Sequence, residues 1–465
     1  MQVKISMKSL FLLIALFIYA SSPAQSVVSD LQRAFFDLEK DPQFRHALVG
    51  FYVHDKSGRL VYEKNGNIGM APASTLKIVT SVTAFELLGK EFQFETKVAI
   101  DNEVKKGILA GSLYFIGGSD PTLGSNRWSS TKPEVIIQKV KKILAENKIV
   151  KIAGGIVLDQ KRFAYPPIPA GWIWEDIGNY YGAGAWGINW LENKYAVHLS
   201  SETQTGKPTR VLSTSPTSMA DLITNQILSA AKGSGDNAYL FSAPHSERIF
   251  ATGTIPASSN KFTIFGAMPD PGKIFLSDMK LSLLEIVDEG TTASPSSSSG
   301  KLNVIGTVYS PPLDSINYWF LKESVNLFGE AMINNIALTK GGNVSTASGV
   351  ETVRDFWSGK GIAKAELKMI DGSGLSPANR ITPKALVDVL RFAKSRTWYQ
   401  SFYHALPELN GIKMKSGYIG GVRSYSGYIK SKSGEEYTFA FIINNFDGAA
   451  SSVREKMYKV LNLLK

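Results

Sequence analysis

Alternating apolar and polar positions near both ends of the chain predict two pairs of β-strands. The segment ALVGFYVHDKSGRLVYEKNG (47 to 66) alternates around a turn at 55 to 58, and SYSGYIKSKSGEEYTFAFIINNF (424 to 446) alternates around a turn at 431 to 434. A helical pattern precedes the first pair and another follows the second pair, at about 29 to 39 and 451 to 465. This arrangement predicts one antiparallel sheet that is built by both chain ends and flanked by helices.

The middle of the chain, from about 97 to 305, is then an insertion, and its composition and sequence patterns differ from those of the two ends. Residues 133 to 146 (PEVIIQKVKKILAE) predict an amphipathic helix, and residues 169 to 190 are dense in aromatic side chains. Residues 289 to 301 (EGTTASPSSSSGK) are rich in serine and predict a surface loop. The helix has four apolar positions on its buried face: Ile136, Val140, Ile143 and Leu144.

The N-terminal segment has the three parts of a secretory signal peptide. Lys4 and Lys8 precede an apolar run from Leu10 to Tyr19, and small residues follow up to Ala24. The run is too short to span a bilayer, and no later stretch is long and apolar enough to do so. We therefore expect an exported, periplasmic protein that is cleaved near Ala24 and has no stable membrane anchor.

Composition narrows the function classes. Cleavage near residue 24 leaves about 441 of the 465 residues, enough for two or three compact units, and lowers the formal net charge from +11 to about +9. The basic residues are spread along the chain, and export argues against nucleic acid as a partner. The sequence has no cysteine, and its 5 histidines show no metal-binding spacing, so we expect no metal and no cofactor. The oligomeric state stays open.

Ser74 and Lys77, in MAPASTLKIVTS (70 to 81), are the strongest candidates for catalysis. A helix that starts at Pro72 would place them on one face, three positions apart, with Lys77 close to the Ser74 oxygen. A lysine acts as a base only if its pKa falls from about 10.4 toward 7, which burial or a nearby cation would cause. The pair therefore predicts a nucleophile and its base only with further elements.

Context selects those elements, since short patterns recur by chance. The pattern S-x-x-K occurs 6 times, but Ser74 alone begins a helix with a core-facing apolar side. S-x-N at Ser324 lies in an apolar stretch that predicts a helix. K-S-G at Lys415 lies in GIKMKSGYIGGVRSYSGYI (411 to 429), a predicted strand whose glycines let a ligand lie along the backbone.

These residues are the parts that a serine peptidase acting on a C-terminal dipeptide requires. Ser74 would attack the carbonyl carbon and Lys77 would take its proton. Ser324 would pass a proton to the leaving amine, and Asn326 would hold the substrate amide. Lys415 and Ser416 would bind the terminal carboxylate, while the amides of Ser74 and Tyr418 would form the oxyanion hole.

The set S-T-L-K, S-V-N and K-S-G resembles the three active-site motifs of penicillin-binding proteins and serine β-lactamases. Longer segments resemble the D-alanyl-D-alanine carboxypeptidase/endopeptidase family, the class C low-molecular-mass penicillin-binding proteins. The segments are GGSDPTL (117 to 123), GGIVLDQKRF (154 to 163), PAGWIWED (169 to 176), SPPLDSINYWFLKESVNLFGE (310 to 330) and DGSGLSPANR (371 to 380).

The resemblance implies an α/β (α+β) fold, with a transpeptidase-like catalytic domain interrupted by two nested insert domains. We expect the catalytic domain at 25–96 and 306–465, the first insert at 97–175 and 278–305, and the second at 176–277. The implied activity is hydrolysis of terminal D-Ala and of cross-links in peptidoglycan stem peptides, with β-lactam antibiotics as inhibitors.

The resemblance also implies a substrate-binding role for three further positions. Gly417 and Tyr418 belong to the K-S-G strand, and Asp159 matches an aspartate that would receive an amino group of the stem peptide. An aspartate that caps a turn is the other interpretation of Asp159. Pro377 stands where relatives often carry arginine, with Arg380 nearby as a possible substitute.

Two alternatives to a D,D-peptidase stay open. A β-lactamase or esterase on the same scaffold would need a positioned base for rapid hydrolysis of the acyl-enzyme, and the sequence shows no dedicated carboxylate for it. A non-catalytic wall-binding protein would need none of the five motif residues, all of which are present: Ser74, Lys77, Ser324, Asn326 and Lys415.

Overall fold

The structure is a computed structural model that describes residues 23–163, 165–287, 293–295 and 301–465. The predicted signal peptide lies almost entirely outside the described residues, as does most of the predicted Ser-rich loop at 289 to 301. Within the described part of the chain, no helix combines the length and the apolar character that crossing a membrane requires.

Helices and strands are interspersed along the chain, as in a mixed α/β fold. The helices are α1 (Pro23–Lys40), α2 (Lys77–Leu87), α3 (Pro133–Glu146), α4 (Trp174–Ile177), α5 (Pro271–Ser282), α6 (Leu313–Lys322), α7 (Asn326–Leu338), α8 (Thr346–Ser358), α9 (Pro383–Lys394), α10 (Tyr399–Ala405) and α11 (Ala450–Asn462). The strands are β1 (Leu48–Asp55), β2 (Leu60–Lys64), β3 (Glu95–Ile100), β4 (Val104–Lys105), β5 (Ile108–Leu109), β6 (Leu113–Ile116), β7 (Lys151–Ile152), β8 (Ile156–Asp159), β9 (Lys194–Ser200), β10 (Arg210–Ser215), β11 (Ile223–Asn225), β12 (Leu228–Ala230), β13 (Asn237–Phe241), β14 (Ile249–Pro256), β15 (Phe262–Ala267), β16 (Ala293–Pro295), β17 (Asn303–Tyr309), β18 (Leu367–Lys368), β19 (Arg380–Ile381), β20 (Glu408–Leu409), β21 (Ile412–Ile419), β22 (Val422–Lys430) and β23 (Glu436–Asn444).

The main sheet joins both ends of the chain, as the sequence predicts. Its strand order is β2-β1-β23-β22-β21-β20, and every neighbouring pair is antiparallel. The N-terminal strand β1 pairs with β23 along its whole length, from Leu48 opposite Asn444 to Asp55 opposite Tyr437. The K-S-G residues lie on β21, which is two strands beyond β23 in the sheet. The pairing of β1 with β23 therefore brings β21 close to the segment that follows β2.

Helices cover both faces of this sheet, because successive apolar residues of β23 point to opposite faces and each face needs a covering layer. Phe439 and Phe441 pack with α1 and α11, whereas Ala440 and Ile442 pack with α2, α6 to α10 and their buried side chains. Complete burial of one large apolar side chain contributes about 1.5–3 kcal/mol to stability. The helix that carries Lys77 is therefore held at the centre of the second layer.

The insertion begins and ends at one pair of strands, β3 and β17. β3 pairs with β17 in an antiparallel register, from Glu95 opposite Tyr309 to Ile100 opposite Asn303. These strands belong to a five-stranded sheet of order β16-β8-β6-β3-β17. The segment 194–267 adds two smaller sheets, β10-β9-β15 and a group in which β14 pairs with β11, β12 and β13. The exact borders of the predicted domains stay a prediction.

Local predictions in the insertion and at the N-terminus can be compared directly with these elements. Helix α3 (Pro133–Glu146) has the predicted bounds, and its four predicted core positions are buried. Helix α1 (Pro23–Lys40) begins before the predicted start near 29, since the helical backbone also includes residues 23 to 28.

Candidate active site

The chain reaches Ser74 through a short 3-10 turn, Ala73–Leu76, which leads directly into α2. Ala73 has a left-handed backbone (φ 46°), so the chain bends sharply just before the serine. Two hydroxyls, from Thr75 and from Ser424 on β22, donate hydrogen bonds to the Pro72 carbonyl at 2.7 and 2.6 Å. The predicted helix start at Pro72 is confirmed, with the difference that its first turn is 3-10 helix.

Lys77 points at Ser74. Its Nζ lies 3.0 Å from Ser74 Oγ, 2.6 Å from Asn326 Oδ1 and 2.7 Å from the Ser373 carbonyl oxygen. A neutral amine has two N–H bonds and one lone pair. The two shorter contacts are to oxygens that can only accept, so they use both N–H bonds and leave the lone pair for the hydroxyl proton of Ser74.

The surroundings of Lys77 favour this neutral amine. Its side chain is fully buried, and burial lowers its pKa well below the ordinary value. The positive charge of Lys415 lowers it further, while the negative charge of Asp371, and that of Glu330 in its ionised form, act in the opposite direction. A lysine becomes a base when it is buried or lies near a second cation. Both conditions are present at Lys77.

Ser324 does not lie in a helix, so the predicted helical setting is wrong at this residue. Helix α6 ends at Lys322, α7 begins at Asn326, and Ser324 between them has a left-handed backbone (φ 59°). A right-handed helix cannot continue through that conformation. The break brings Ser324 into the cleft that Ser74 also lines.

Asn326, the first residue of α7, connects Lys77 to the insertion. Its Oδ1 accepts from Lys77, and its Nδ2 donates to the Tyr181 carbonyl oxygen at 2.8 Å. A side-chain amide has two N–H bonds, so one remains for a substrate oxygen. This geometry agrees with the predicted role of Asn326 and adds a contact with the second insert that the sequence does not indicate.

The K-S-G residues lie on β21, as predicted, beside the turn that carries Ser74. Lys415 is only 2% exposed, and its Nζ donates to the Ser416 carbonyl oxygen at 3.0 Å. Burial, assisted by the charge of Arg423, lowers the pKa of Lys415 to about 7. No carboxylate among the described residues pairs with Lys415, and a buried cation of this kind is suited to bind an incoming anion.

Gly417 faces the backbone of Ser74 so closely that no other residue fits there. A β-carbon at this position would lie 2.9 Å from Ser74 N, 2.7 Å from Pro72 O and 2.3 Å from Ser424 Oγ. The neighbouring Tyr418 is 56% exposed and lines the cleft. The strand thus passes directly in front of the Ser74 amide, where the oxyanion hole is predicted.

The cleft in front of Ser74 has a volume of about 860 Å³. It lies between the main sheet with its helices and the insertion. One side is formed by the motif residues Ser74, Ser324 and Asn326, together with Tyr418. The other side carries acidic and aromatic side chains of the insertion: Glu175, Asp176, Tyr180, Tyr181, Glu192 and Tyr239. This volume lies within the range of ligand-binding clefts.

Comparison with known proteins agrees with this geometry. The model of the D-Ala-D-Ala carboxypeptidase 3 (S13) family matches residues 31–463, which is nearly the whole described chain. The chain belongs to this family. The predicted family and the predicted class of enzyme, a serine D-Ala-D-Ala carboxypeptidase, are therefore confirmed.

Curated relatives and solved structures cover most of this S13 family member. A D-alanyl-D-alanine carboxypeptidase of Actinomadura sp. (strain R39) is 24% identical over 91% of this chain and 82% of the relative. The carboxypeptidase DacB of Haemophilus influenzae is 23% identical over 86% of this chain and 85% of the relative. The crystal structure of penicillin binding protein 4 (dacB) from H. influenzae covers 94% of this chain and 97% of its own, with a TM-score of 0.77 and 22% identity. The fold class is confirmed.

Asp159 of this S13 family member does not line the cleft of Ser74. It ends β8 in a separate cavity of about 210 Å³, where its Oδ1 accepts from the Lys161 backbone N–H at 3.0 Å. Its Oδ2 lies 3.5 Å from Lys161 Nζ. This is the contact of the turn-capping interpretation, and it gives no support to the predicted substrate-binding role, which stays a prediction.

The carboxylates that do line the cleft were missed by the sequence analysis. Glu323, next to Ser324, also lines the cleft; of the insertion's carboxylates, Glu192 is already paired with Arg127 and Lys194, at 2.8 and 2.9 Å, which leaves Glu175 and Asp176. The signal was available, because both end the segment PAGWIWED that contributes to the family resemblance.

Arg380 is also placed differently from the expectation. Its guanidinium donates to the carbonyl oxygens of Pro377 and Asn379, and Arg380 is not among the residues that line the cleft. Pro377 itself does line the cleft. Arg380 is therefore occupied by its own turn, and the structure gives no support to its being a substitute for the arginine of relatives.

Proposed function

We propose that this protein is an exported serine D,D-carboxypeptidase and endopeptidase that works through an acyl-enzyme. It removes terminal D-Ala from peptidoglycan stem peptides and cleaves their D-Ala cross-links. The observation that carries this proposal is the 3.0 Å contact between Lys77 Nζ and Ser74 Oγ inside a buried site that also holds Lys415. Export rests on the sequence pattern up to Ala24.

The first half of the reaction transfers the acyl group to Ser74. The hydroxyl proton moves to Lys77 Nζ while Ser74 Oγ bonds to the carbonyl carbon of the penultimate D-Ala. The peptide C–N bond then breaks, and the proton leaves with the amine of the departing residue. Ser324 lines the same cleft and would carry this proton from Lys77 to the leaving amine.

The second half regenerates the serine. A water molecule attacks the ester carbon and gives one proton to Lys77, the Ser74 Oγ–C bond breaks, and the proton returns to Ser74. The amides of Ser74 and Tyr418 would stabilise the oxyanion in both halves, each donor contributing about 3–4 kcal/mol. The close approach of Gly417 to Ser74 N, where a β-carbon would lie at 2.9 Å, supports this placement.

Substrate binding would use the free side of β21. Its neighbour β20 pairs only with Ile412 and Lys413, and no strand of the described residues pairs with the segment from Lys415 onward on that side. An extended peptide can add to such an edge as a further strand. Its terminal carboxylate would then reach Lys415 and Ser416.

Acylation by β-lactam antibiotics would use the same parts as the peptide reaction. A structure of H. influenzae penicillin binding protein 4 is a complex with a novel β-lactam, which is a property of that protein. For this chain, we infer that the β-lactam carbonyl carbon bonds to Ser74 Oγ as the ring amide breaks.

The test is to incubate the purified protein with cross-linked and with uncross-linked muropeptides and to identify the products by mass. Release of D-Ala from the pentapeptide and splitting of the dimer, both absent from the Ser74→Ala variant, are expected. No product from either substrate would favour the wall-binding alternative. A penicillin adduct that hydrolyses within seconds would favour the β-lactamase alternative.

A further inference from the structure

A buried acidic residue, Glu330, lies behind the Ser74–Lys77 pair and takes no part in the mechanism above. It lies on α7, four positions after Asn326, and therefore on the same helix face. Glu330 is only 1% exposed, and no lysine or arginine of the described residues forms an ion pair with it. Burial of an unpaired carboxylate is costly, so the residue requires an explanation.

Glu330 holds the backbone that contacts Lys77. Both of its carboxyl oxygens lie 3.1 Å from Gly372 N, which donates to them. The carbonyl of Gly372 accepts from Thr80 at 2.6 Å, and the carbonyl of Ser373 accepts from Lys77 at 2.7 Å. One carboxyl group thus fixes the short segment that presents two carbonyls to α2 and to its first residue, Lys77.

The residue before Gly372, Asp371, is a fully hydrogen-bonded carboxylate. Its oxygens accept from four donors: Gly374 N at 2.7 Å, Ser376 N at 2.6 Å, Asn379 Nδ2 at 3.0 Å and Trp172 Nε1 at 2.8 Å. Four donors are the full complement of a carboxylate, so Asp371 carries the negative charge of this region.

The charged groups around Glu330 are therefore Asp371 and Lys77, and Lys77 in turn faces Lys415. Burial, and after it the negative charge of Asp371, raise the pKa of Glu330 to about 8. The Ser373 side chain, the hydrogen bond from Gly372 N and the charge that Lys77 has in its ammonium form act in the opposite direction and lower this pKa. A neutral carboxyl group still accepts the Gly372 hydrogen bond, and this arrangement adds no second negative charge beside Lys77.

We propose that Glu330 is a positioning residue that stays uncharged while it holds the Gly372–Ser373 backbone against Lys77, and that it thereby keeps Lys77 a free amine. The physical reason is that an ionised carboxylate at this place would stabilise the ammonium form of Lys77. An ammonium group cannot accept the Ser74 proton. This inference rests on the proposed function, in which Lys77 is the base.

The kinetic test compares acylation by a fluorescent penicillin, as a function of pH, in the wild type and in two variants. Glu330→Gln is uncharged and keeps an oxygen for Gly372 N, so its acylation rate at pH 7 should stay within about threefold of the wild type. The acidic limb of its pH–rate profile, where the rate falls as pH is lowered, should stay at the same pH. Glu330→Ala removes that oxygen and leaves a cavity, so acylation should slow about tenfold or more. Thermal unfolding shows whether the alanine variant is folded.

Two kinetic results would overturn the inference. If Glu330 were a carboxylate paired with a Lys77 ammonium, Glu330→Gln would lower the pKa of Lys77 and move the acidic limb down by about one pH unit or more. If Glu330→Ala were folded and acylated at the wild-type rate, Glu330 would have no positioning role.

An infrared measurement tests the charge state without any activity. At pH 7 the absorption band of a protonated, buried carboxyl group should be present in the wild type and in Ser74→Ala, and it should be missing from Glu330→Gln. Asp120→Asn is the matched control, because burial raises the pKa of Asp120 to only about 6, so its loss should leave the band in place. Equal bands in the wild type and in Glu330→Gln would contradict the inference while leaving the proposed function untouched.

Discussion

Lys77 Nζ lies 3.0 Å from Ser74 Oγ, and its two shorter contacts are to oxygens that can only accept hydrogen bonds. The direction of proton transfer follows from this arrangement. Because both N–H bonds of the neutral amine are occupied, the lone pair has one partner, the serine hydroxyl. The cost of burying the lysine falls on its charged form and so favours the base.

Gly417 and Gly420 offer a matched pair of substitutions near the end of β21. Gly417→Ala would place a β-carbon 2.9 Å from Ser74 N and 2.3 Å from Ser424 Oγ, whereas the same change at Gly420 meets nothing within 4 Å. We expect Gly417→Ala to slow penicillin acylation at least about 100-fold and to destabilise the fold by about 1–3 kcal/mol. Gly420→Ala should change neither. Stopped-flow acylation and thermal unfolding check both, and equal behaviour of the two variants would contradict the close approach.

We expect the hydroxyl of Ser416, at the second K-S-G position, to contribute to binding of the terminal carboxylate of the substrate. Ser416 is half-buried on a strand, where a β-branched residue fits. Ser416→Thr keeps the hydroxyl and should stay within about threefold of the wild-type kcat/KM. Ser416→Val has nearly the same shape without the hydroxyl, and its KM for a D-Ala-D-Ala peptide should rise about tenfold. A valine variant as active as the threonine variant would exclude Ser416 from carboxylate binding.

The charge of Lys415 should set the pH above which kcat/KM falls, the alkaline limb of the pH–rate profile. In the proposed function the terminal carboxylate would bind the ammonium form, and burial lowers the pKa of Lys415 to about 7. As pH rises through about 7, Lys415 loses its proton, so kcat/KM should fall in the free enzyme. Lys415→Arg stays charged, and although its rate is reduced its alkaline limb should move to higher pH. A limb that stays in place in the arginine variant would assign it to another group.

Recognition of an amino group on the stem peptide can be assigned by comparing two sets of carboxylates. Glu175 and Asp176 line the cleft, whereas Asp159 lines another cavity. Replacing Glu175 with Gln and Asp176 with Asn should raise the KM for peptides with a free side-chain amine about tenfold, and acetylated peptides should be unaffected. Asp159→Asn should leave both unchanged. The reverse pattern would restore the role that the family resemblance gives to Asp159.

Much of this architecture follows from local patterns. The alternation in β1 and β23 predicts the sheet that joins both chain ends, and the four apolar positions of α3 predict its bounds (Pro133–Glu146). The three motifs predict which distant segments meet, because the chemistry needs them together. Borders between the predicted domains depend on packing across the insertion and stay a prediction.

Other features depend on tertiary contacts that no local pattern shows. Ser324 lies in an apolar stretch that continues on both sides, so its left-handed backbone (φ 59°) cannot be read from the sequence. Glu330 is an ionisable residue in a helix, a type that ordinarily faces solvent, yet it is buried. Asp159 shows the opposite case, since a family match placed it in the site while its own turn occupies its carboxylate.

The most direct test is to treat the wild type and Ser74→Ala with penicillin and to locate the adduct by mass spectrometry of the digested proteins. We predict an adduct on the peptide that contains Ser74, no adduct and no D-Ala release in the variant, and the same unfolding temperature for both proteins, since Ser74 is only half-buried. An adduct on another residue, or labelling that survives in folded Ser74→Ala, would contradict the assignment of Ser74 as the nucleophile that Lys77 activates.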